Sequence, residues 1–423
     1  MTDDLLATRS SVRAVDGYLP RRTGALLGAQ IAGQSLAVVT SVLLTRRLGV
    51  SGFGVYAFVT AAVFVANVGT TFGTDMVLIR EIAADHRHDL RPGRCAAALV
   101  LQIILSAFVI AVLLVGSAVV SALGPSRADR FVAPLRIFSL SLLPAAVFSV
   151  GTAVLRGLGM LRAYAVAVVA AAGLPLTAVA VFIRSGATLV RTTTVLLGAQ
   201  VAVALVAVIA CVVPVTRTRV SLRPTRAELV DIARASRAVG GLGLVGVLYQ
   251  RIAMLGVAVL VGPTANGWYS GAARIVEASK TGHIALAAAT YPVMADHQDR
   301  SAVLGRARRT NVMMAIAVAV VLIIGGRVLI ERLYGPAFGE SKPALTILAL
   351  GLVASCVATF ETLAMLAEHR EREVLRVMGV SLVVLLVGLV AMVTAVGWIG
   401  ACWAMLVADV TQSALLRRSR VRQ

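Results

Sequence analysis

The sequence predicts an all-α integral membrane protein of about twelve transmembrane helices, in two pseudo-symmetric six-helix bundles around a central cavity. Three observations predict it. The 423 residues are 59% hydrophobic and only 14% charged, with a mean hydropathy of +0.90. A soluble domain is nearer half apolar and about a quarter charged, so lipid must cover much of this chain. Apolar runs of about 20 residues, the length that crosses a bilayer, recur from end to end. A short motif occurs twice, once near the start of each half.

The runs fall at 24–46, 53–79, 95–120, 131–155, 162–183 and 189–215 in the first half. In the second they fall at 238–262, 267–294, 310–331, 343–367, 374–396 and 398–416. The first run is long enough to span and lacks a small-x-small site at its end, so it reads as an anchor rather than a cleaved signal. Pro144, Pro175 and Gly243 lie inside runs. Membrane helices tolerate them because neighbours re-satisfy the backbone, and they supply kinks. The expected organisation is a segment 1–23, a bundle 24–215, a basic linker 216–237 holding a short amphipathic helix, a bundle 238–416, and a basic tail 417–423.

Charge sets the orientation. With the N-terminus inside, 27 of the 40 basic residues fall in inner segments and 10 in outer ones. Basic loops stay cytoplasmic, so both termini are expected on the cytoplasmic side. Trp268 and Trp398 then fall at outer helix ends, as an interfacial aromatic belt requires. The net charge of +20 would suggest nucleic acid in a soluble protein. Here the arginines sit in short loops between spans, so the membrane surface is the expected partner and nucleic acid is not.

The repeated motif is LGVSGFGVY (48–56) and VGPTANGWY (261–269). Each reads apolar-Gly, four residues, Gly-x-Tyr. Each occupies the outer link between the first two helices of a six-helix set. Internal duplication explains both spacing and position. An even number of spans per repeat makes the repeats parallel, related by an axis along the membrane normal.

Enzyme and metal signatures are absent. There is no GxxxxGK[ST] loop and no HExxH, and the four cysteines lie in or at the edge of apolar runs without CxxC spacing. The outer loops are too short for an extramembrane catalytic domain. No cofactor and no enzymatic activity are expected.

Ionisable residues inside spans carry the functional signal, because burying one is costly unless it faces a cavity or a partner. Arg251 lies in the seventh span, and Arg274, Glu277 and Lys280 lie in the eighth. A spacing of three places the last three within an arc of about 120°. Such a cationic patch suits an anionic group such as a pyrophosphate. The alternative is a structural trio in which Glu277 neutralises a neighbour, although one carboxylate cannot neutralise three cations. Glu277, Asp75 in the second span and Glu361 in the tenth are candidates for charge balance or for taking up a coupling proton. Asp409 in the last span is a weaker one. Gln102 and Asn67 read as interhelical hydrogen-bonding residues.

The segment LTRRLGVSGFGVYAF (44–58) leads into a helix that ends IREIA (79–83). With LRGLGMLR (155–162) and the stretch 248–280, this resembles the polysaccharide transporter family, which includes O-antigen flippases. That family belongs to the multidrug/oligosaccharidyl-lipid/polysaccharide exporter superfamily. The matching positions are Arg46, Leu48, Gly49, Gly54, Tyr56, Arg80 and Glu81. The resemblance implies a bacterial cytoplasmic-membrane flippase for a polyprenyl-pyrophosphate-linked oligosaccharide. It also implies a cationic central cavity, alternating access, and coupling to a proton or sodium gradient or to the membrane potential. Polysaccharide assembly machinery is a further expected partner. Many relatives carry an Asp near Arg251; this chain reads Gln250-Arg251-Ile252. The expected substrate site is therefore Arg251, Arg274 and Lys280. The competing readings are a multidrug cation antiporter of the same superfamily, which would favour an acidic, aromatic-rich cavity, a non-transporting scaffold for polysaccharide synthesis, and a membrane-embedded enzyme of polymer assembly.

Overall fold

The computed structural model describes residues 2–84, 92–122, 129–216, 224–280, 282–283, 300–368 and 370–421, and among these every regular element is a helix. The first half comprises α1 (Thr2–Thr71), α2 (Thr74–Ala84), α3 (Pro92–Ala122), α4 (Asp129–Ser139), α5 (Leu142–Gly157), α6 (Leu161–Phe182) and α7 (Leu189–Thr216). The second comprises α8 (Arg226–Leu260), α9 (Pro263–Ser279), α10 (Arg300–Tyr334), α11 (Ser341–Ala367), α12 (Glu371–Val396) and α13 (Gly400–Val421).

Two stretches are too long to be single spans. Gly28–Thr71 has 44 residues and Glu371–Arg420 has 50. At about 1.5 Å per residue either would exceed twice the hydrocarbon thickness of about 30 Å. Glycines with positive φ divide both: Gly49 (φ 68°, ψ −179°) in α1 and Gly397 (φ 72°, ψ −158°) between α12 and α13. Each stretch is thus a pair of spans, as the apolar runs predict. The fourth predicted span is bent by 40° between α4 and α5. The cause is Pro144, whose ring cannot sit against the carbonyl of the residue four before it. That residue is Leu140, at the break. The second span is interrupted at Phe72 and Gly73 (φ 75°) and continues as α2. Of the eighth predicted span, α9 is described as far as Ser279, and most of the remainder to 294 lies outside the described residues.

Each half has its own core. Leu44, Val59, Phe138, Leu142 and Val179 pack the first, and Met254, Ala272, Leu345, Leu352 and Leu385 pack the second. Val181, Ile209, Ile324 and Val387 are among the large apolar side chains left outside, where lipid tails would cover them.

The halves meet at the repeated motif, and they meet reciprocally. A Cβ on Gly54 would lie 1.8 Å from the Pro263 carbonyl oxygen, and one on Gly267 would lie 2.1 Å from that of Val50. Only glycine permits either approach. Gly54 matches Gly267 in the motif, and Val50 matches Pro263. Gly49 and its counterpart Gly262 (φ 123°) both take the backbone conformation that favours glycine. This exchange of like contacts is the signature of a two-fold axis running through the motif. Asn266 Nδ2 adds a hydrogen bond to Gly54 O at 2.7 Å.

The paired arginines before the motif have separate roles. Arg46 crosses between halves, donating to the carbonyls of Leu333 (2.7 Å) and Arg332 at the end of α10. Arg47 stays in its own half and donates to Val179 (2.6 Å), Ala180 and Ile183 at the end of α6. Both satisfy carbonyls that a helix end leaves open and oppose the negative end of its dipole.

The described part of the linker, from 224 onward, is helical almost from its start. α8 is one continuous helix of 35 residues that starts within it, at Arg226. Thr225 and Glu228 form a reciprocal capping box there. Hydrogen bonds from the Thr225 backbone and hydroxyl hold the Glu228 carboxyl below the usual carboxylate range. Ile232 is buried among Leu78, Ile82 and Val154 of the first half, while Met254 and Val257 lie in the core of the second. The Arg80-Glu81 pair explains part of this docking. Glu81 holds Arg94 at 3.0 Å, and Arg94 reaches Asp231 of α8 at 3.8 Å.

Candidate functional site

The three cations singled out from the sequence, and Glu277 with them, lie on α8 and on α9 with its C-cap. Arg251 Nη1 donates to Glu277 Oε1 at 2.7 Å, a pair formed across the two helices. The side chains are 16% and 30% exposed, so the pair is screened but not sealed. The Arg251 guanidinium also lies over the Phe64 ring of α1, 5.2 Å from its centroid. It therefore touches both halves of the molecule.

Arg274 and Lys280 make no ion pair among the described residues. Arg274 is half-buried and its Nε is buried without a hydrogen-bond partner. Lys280 closes α9, where the helix dipole favours a cation. Its Nζ donates to Ser355 Oγ of α11 at 2.9 Å.

Lys280 and Glu277 open onto a cavity of about 430 Å³. Its walls come from α8, α9, α11, α12 and α13, with His283, so it lies inside the second half rather than between the halves. Arg251 and Arg274 are not among its lining residues. The sequence reading puts all three cations in one central cavity. The structure instead divides them, with Lys280 in this chamber and Arg251 turned towards the first half. The reason is geometric. An arc of about 120° on α9 is wide enough to face two spaces, one on either side of Glu277.

Asp409 of α13 is the residue that sequence reasoning underweighted. It is 4% exposed, lines the same cavity, and accepts a hydrogen bond from the Tyr249 hydroxyl at 2.7 Å. The available signal was a lone carboxylate in an apolar run. Glu361 is 1% exposed and lies between Arg420 (2.8 Å) and Arg308 (3.4 Å). These contacts tie α10, α11 and α13 together, apart from the α8–α9 pair. Asp75 is half-buried in the first turn of α2, without an ion pair among the described residues. Gln102 bonds across helices to Thr74 at 2.6 Å. No cluster suited to a metal occurs among the described residues.

A family model for polysaccharide biosynthesis proteins matches residues 19–298. The chain belongs to that family. Among curated proteins none matches it. Solved structures share its fold. An inward-facing multidrug resistance MATE-family transporter of the MOP superfamily aligns with TM-score 0.73 at 18% identity, over 92% of this chain and 94% of the other. A eukaryotic MATE transporter aligns with TM-score 0.71 at 12% identity, over 96% of both chains. A MOP-superfamily transporter from Pyrococcus furiosus Vc1, described by the reverse polarity of its binding pocket, aligns with TM-score 0.68 at 17% identity. That match covers 95% of this chain and 96% of the other. This polysaccharide biosynthesis family member thus has the two-lobed helical fold of membrane transporters.

Proposed function

We propose that this chain is a flippase that moves a polyprenyl-pyrophosphate-linked oligosaccharide across the bacterial cytoplasmic membrane. The observation that carries the reading is the charge balance at the α8–α9 site. Arg251, Arg274 and Lys280 lie within the spans near one carboxylate, Glu277, which among the described residues is engaged by Arg251 alone. Arg251 and Arg274 would bind the pyrophosphate, while Lys280 borders the separate chamber and the lipid tail stays in the bilayer between helices. The membership in a polysaccharide biosynthesis family supports the glycan. An organic cation would meet a net positive site, which argues against multidrug antiport despite the shared fold. The Pyrococcus neighbour, described by its reversed pocket polarity, makes charge a fitting criterion within this fold.

The transporter works by alternating access. The reciprocal motif contact closes the outer end, both termini lie on the cytoplasmic side, and rocking of the two lobes opens one end at a time. Ion coupling, where it occurs, draws on carboxylates outside the Arg251 pair: Asp75 and Asp409 before Glu361, which two arginines already hold. Replacing Arg251 by Ala, at unchanged protein level, reduces glycan export to less than about a tenth of wild type. Normal export by that variant would overturn the anion-binding assignment.

A further inference from the structure

We infer that Glu277 is a built-in counter-anion, which occupies Arg251 in the empty transporter and is displaced by the anionic group of the substrate. The inference rests on the flippase reading and adds to it a residue that sets the threshold for binding.

Three observations lead to it. The Arg251–Glu277 contact is short, at 2.7 Å, and incompletely buried, so a ligand can reach the guanidinium from the exposed side. Phe64 packs over the guanidinium carbon and leaves its edges for hydrogen bonding, so Arg251 keeps its place when the carboxylate departs. Finally, the carboxylate has another cation to move to. Lys280 is three residues along the same helix, holds only Ser355 in the described structure, and borders the cavity that Glu277 also lines. A buried charge that loses its partner is strongly penalised. A carboxylate standing between two cations avoids that penalty by changing partner. On the other side of Glu277, Arg274 offers the incoming anion a buried Nε–H that no described residue satisfies.

The consequence is a threshold for binding. A ligand must outcompete a bound carboxylate, so a monoanion gains little and a pyrophosphate, with more charge and more acceptor oxygens, gains much. The competitor lowers the affinity of every anion by the same step, so only a head group with enough charge and acceptor oxygens still binds at working concentrations.

The test is binding of inorganic pyrophosphate to the purified full-length protein in lipid nanodiscs, measured by calorimetry. Glu277→Gln keeps the shape and removes the charge. It should bind pyrophosphate about tenfold or more tightly than wild type, the equivalent of one charge-assisted hydrogen bond no longer in competition. Glu277→Asp, a shorter carboxylate with a poorer reach to Arg251, should fall between the two and guards against a folding defect in the first variant. Asp409→Asn removes a nearby charge that Arg251 does not hold, and should give a clearly smaller gain. Equal or weaker binding by Glu277→Gln, or an equal gain from Asp409→Asn, overturns the competitor role while leaving the anion site standing if Arg251→Ala abolishes binding. Binding that is absent in wild type, or unchanged in Arg251→Ala, overturns both.

Discussion

The two motif-bearing helices began as the same object and now differ in one respect. With the motifs aligned at Tyr56 and Tyr269, Ala61 falls on Arg274, Phe64 on Glu277 and Asn67 on Lys280. The loops above these positions are nearly interchangeable, with matched glycines and reciprocal contacts. The faces below are not. One is neutral and the other carries two cations and an anion. Arg251 bridges the divergence, since its two partners, Phe64 and Glu277, occupy the same position in the two repeats. It therefore lies close to the axis that relates them. The comparison teaches that the symmetric part holds the two halves together, and that the asymmetric part is where the proposed ligand site lies.

The sharpest way to break the comparison is to exchange the faces. Ala61 is 3% exposed. Ala61→Arg buries an unpaired charge and should cost about 3–5 kcal/mol, enough to remove the protein from the membrane fraction. Arg274→Ala at the matched position should accumulate normally and export poorly. Immunoblots of membranes alongside an export assay read both. The next largest effect belongs to the symmetric part. Gly54→Ala and Gly267→Ala each force a methyl into a carbonyl, an overpacking worth about 1–3 kcal/mol or more. Both should lower export by at least about tenfold, and to the same degree; clearly unequal losses would break the two-fold account of the motif. Phe64→Ala removes the ring from Arg251 and leaves Glu277. A cation–π contact of this kind contributes about 0.5–2 kcal/mol, so pyrophosphate affinity should fall by about twofold to thirtyfold. The smallest effect is at the start of α8. Thr225→Ala removes the cap and should lower the melting temperature by about 2 °C or less. Because the folded state holds the Glu228 carboxyl below its ordinary range, the cap's contribution is complete at neutral pH. It fades as the pH falls through that lowered value, so wild type and variant should converge in acid melts.

Much of this architecture was legible from the residues. Apolar length alone marks the spans, and the division at Gly397 falls between the predicted runs at 396 and 398. Pro144 announces the bend before α5. The motif spacing announces the duplication, although not that the two copies touch each other. The break at Phe72–Gly73 was not legible, because an isolated glycine in an apolar run is ordinary in a membrane helix. At the site, spacing of three gives the arc of Arg274, Glu277 and Lys280 without further information. Pairing is a different matter. Residues 251 and 277 lie on separate helices, and which carboxylate meets which cation depends on how those helices rotate about their axes. For the same reason Glu361 and Asp75 look alike as lone acids, yet one is enclosed by two arginines and the other has no ion pair among the described residues. The tyrosine that holds Asp409 is 160 residues away in the chain, beyond the reach of any local pattern.

The central claim is that the α8–α9 cations exist to hold an anionic lipid head group. Its most direct test is transport by the purified protein in liposomes, comparing wild type with Arg251→Ala. The account predicts that wild type moves a polyprenyl-pyrophosphate-linked oligosaccharide between leaflets, that inorganic pyrophosphate competes, and that the variant does neither. Movement of organic cations by wild type, with no transfer of the lipid-linked glycan, would contradict it.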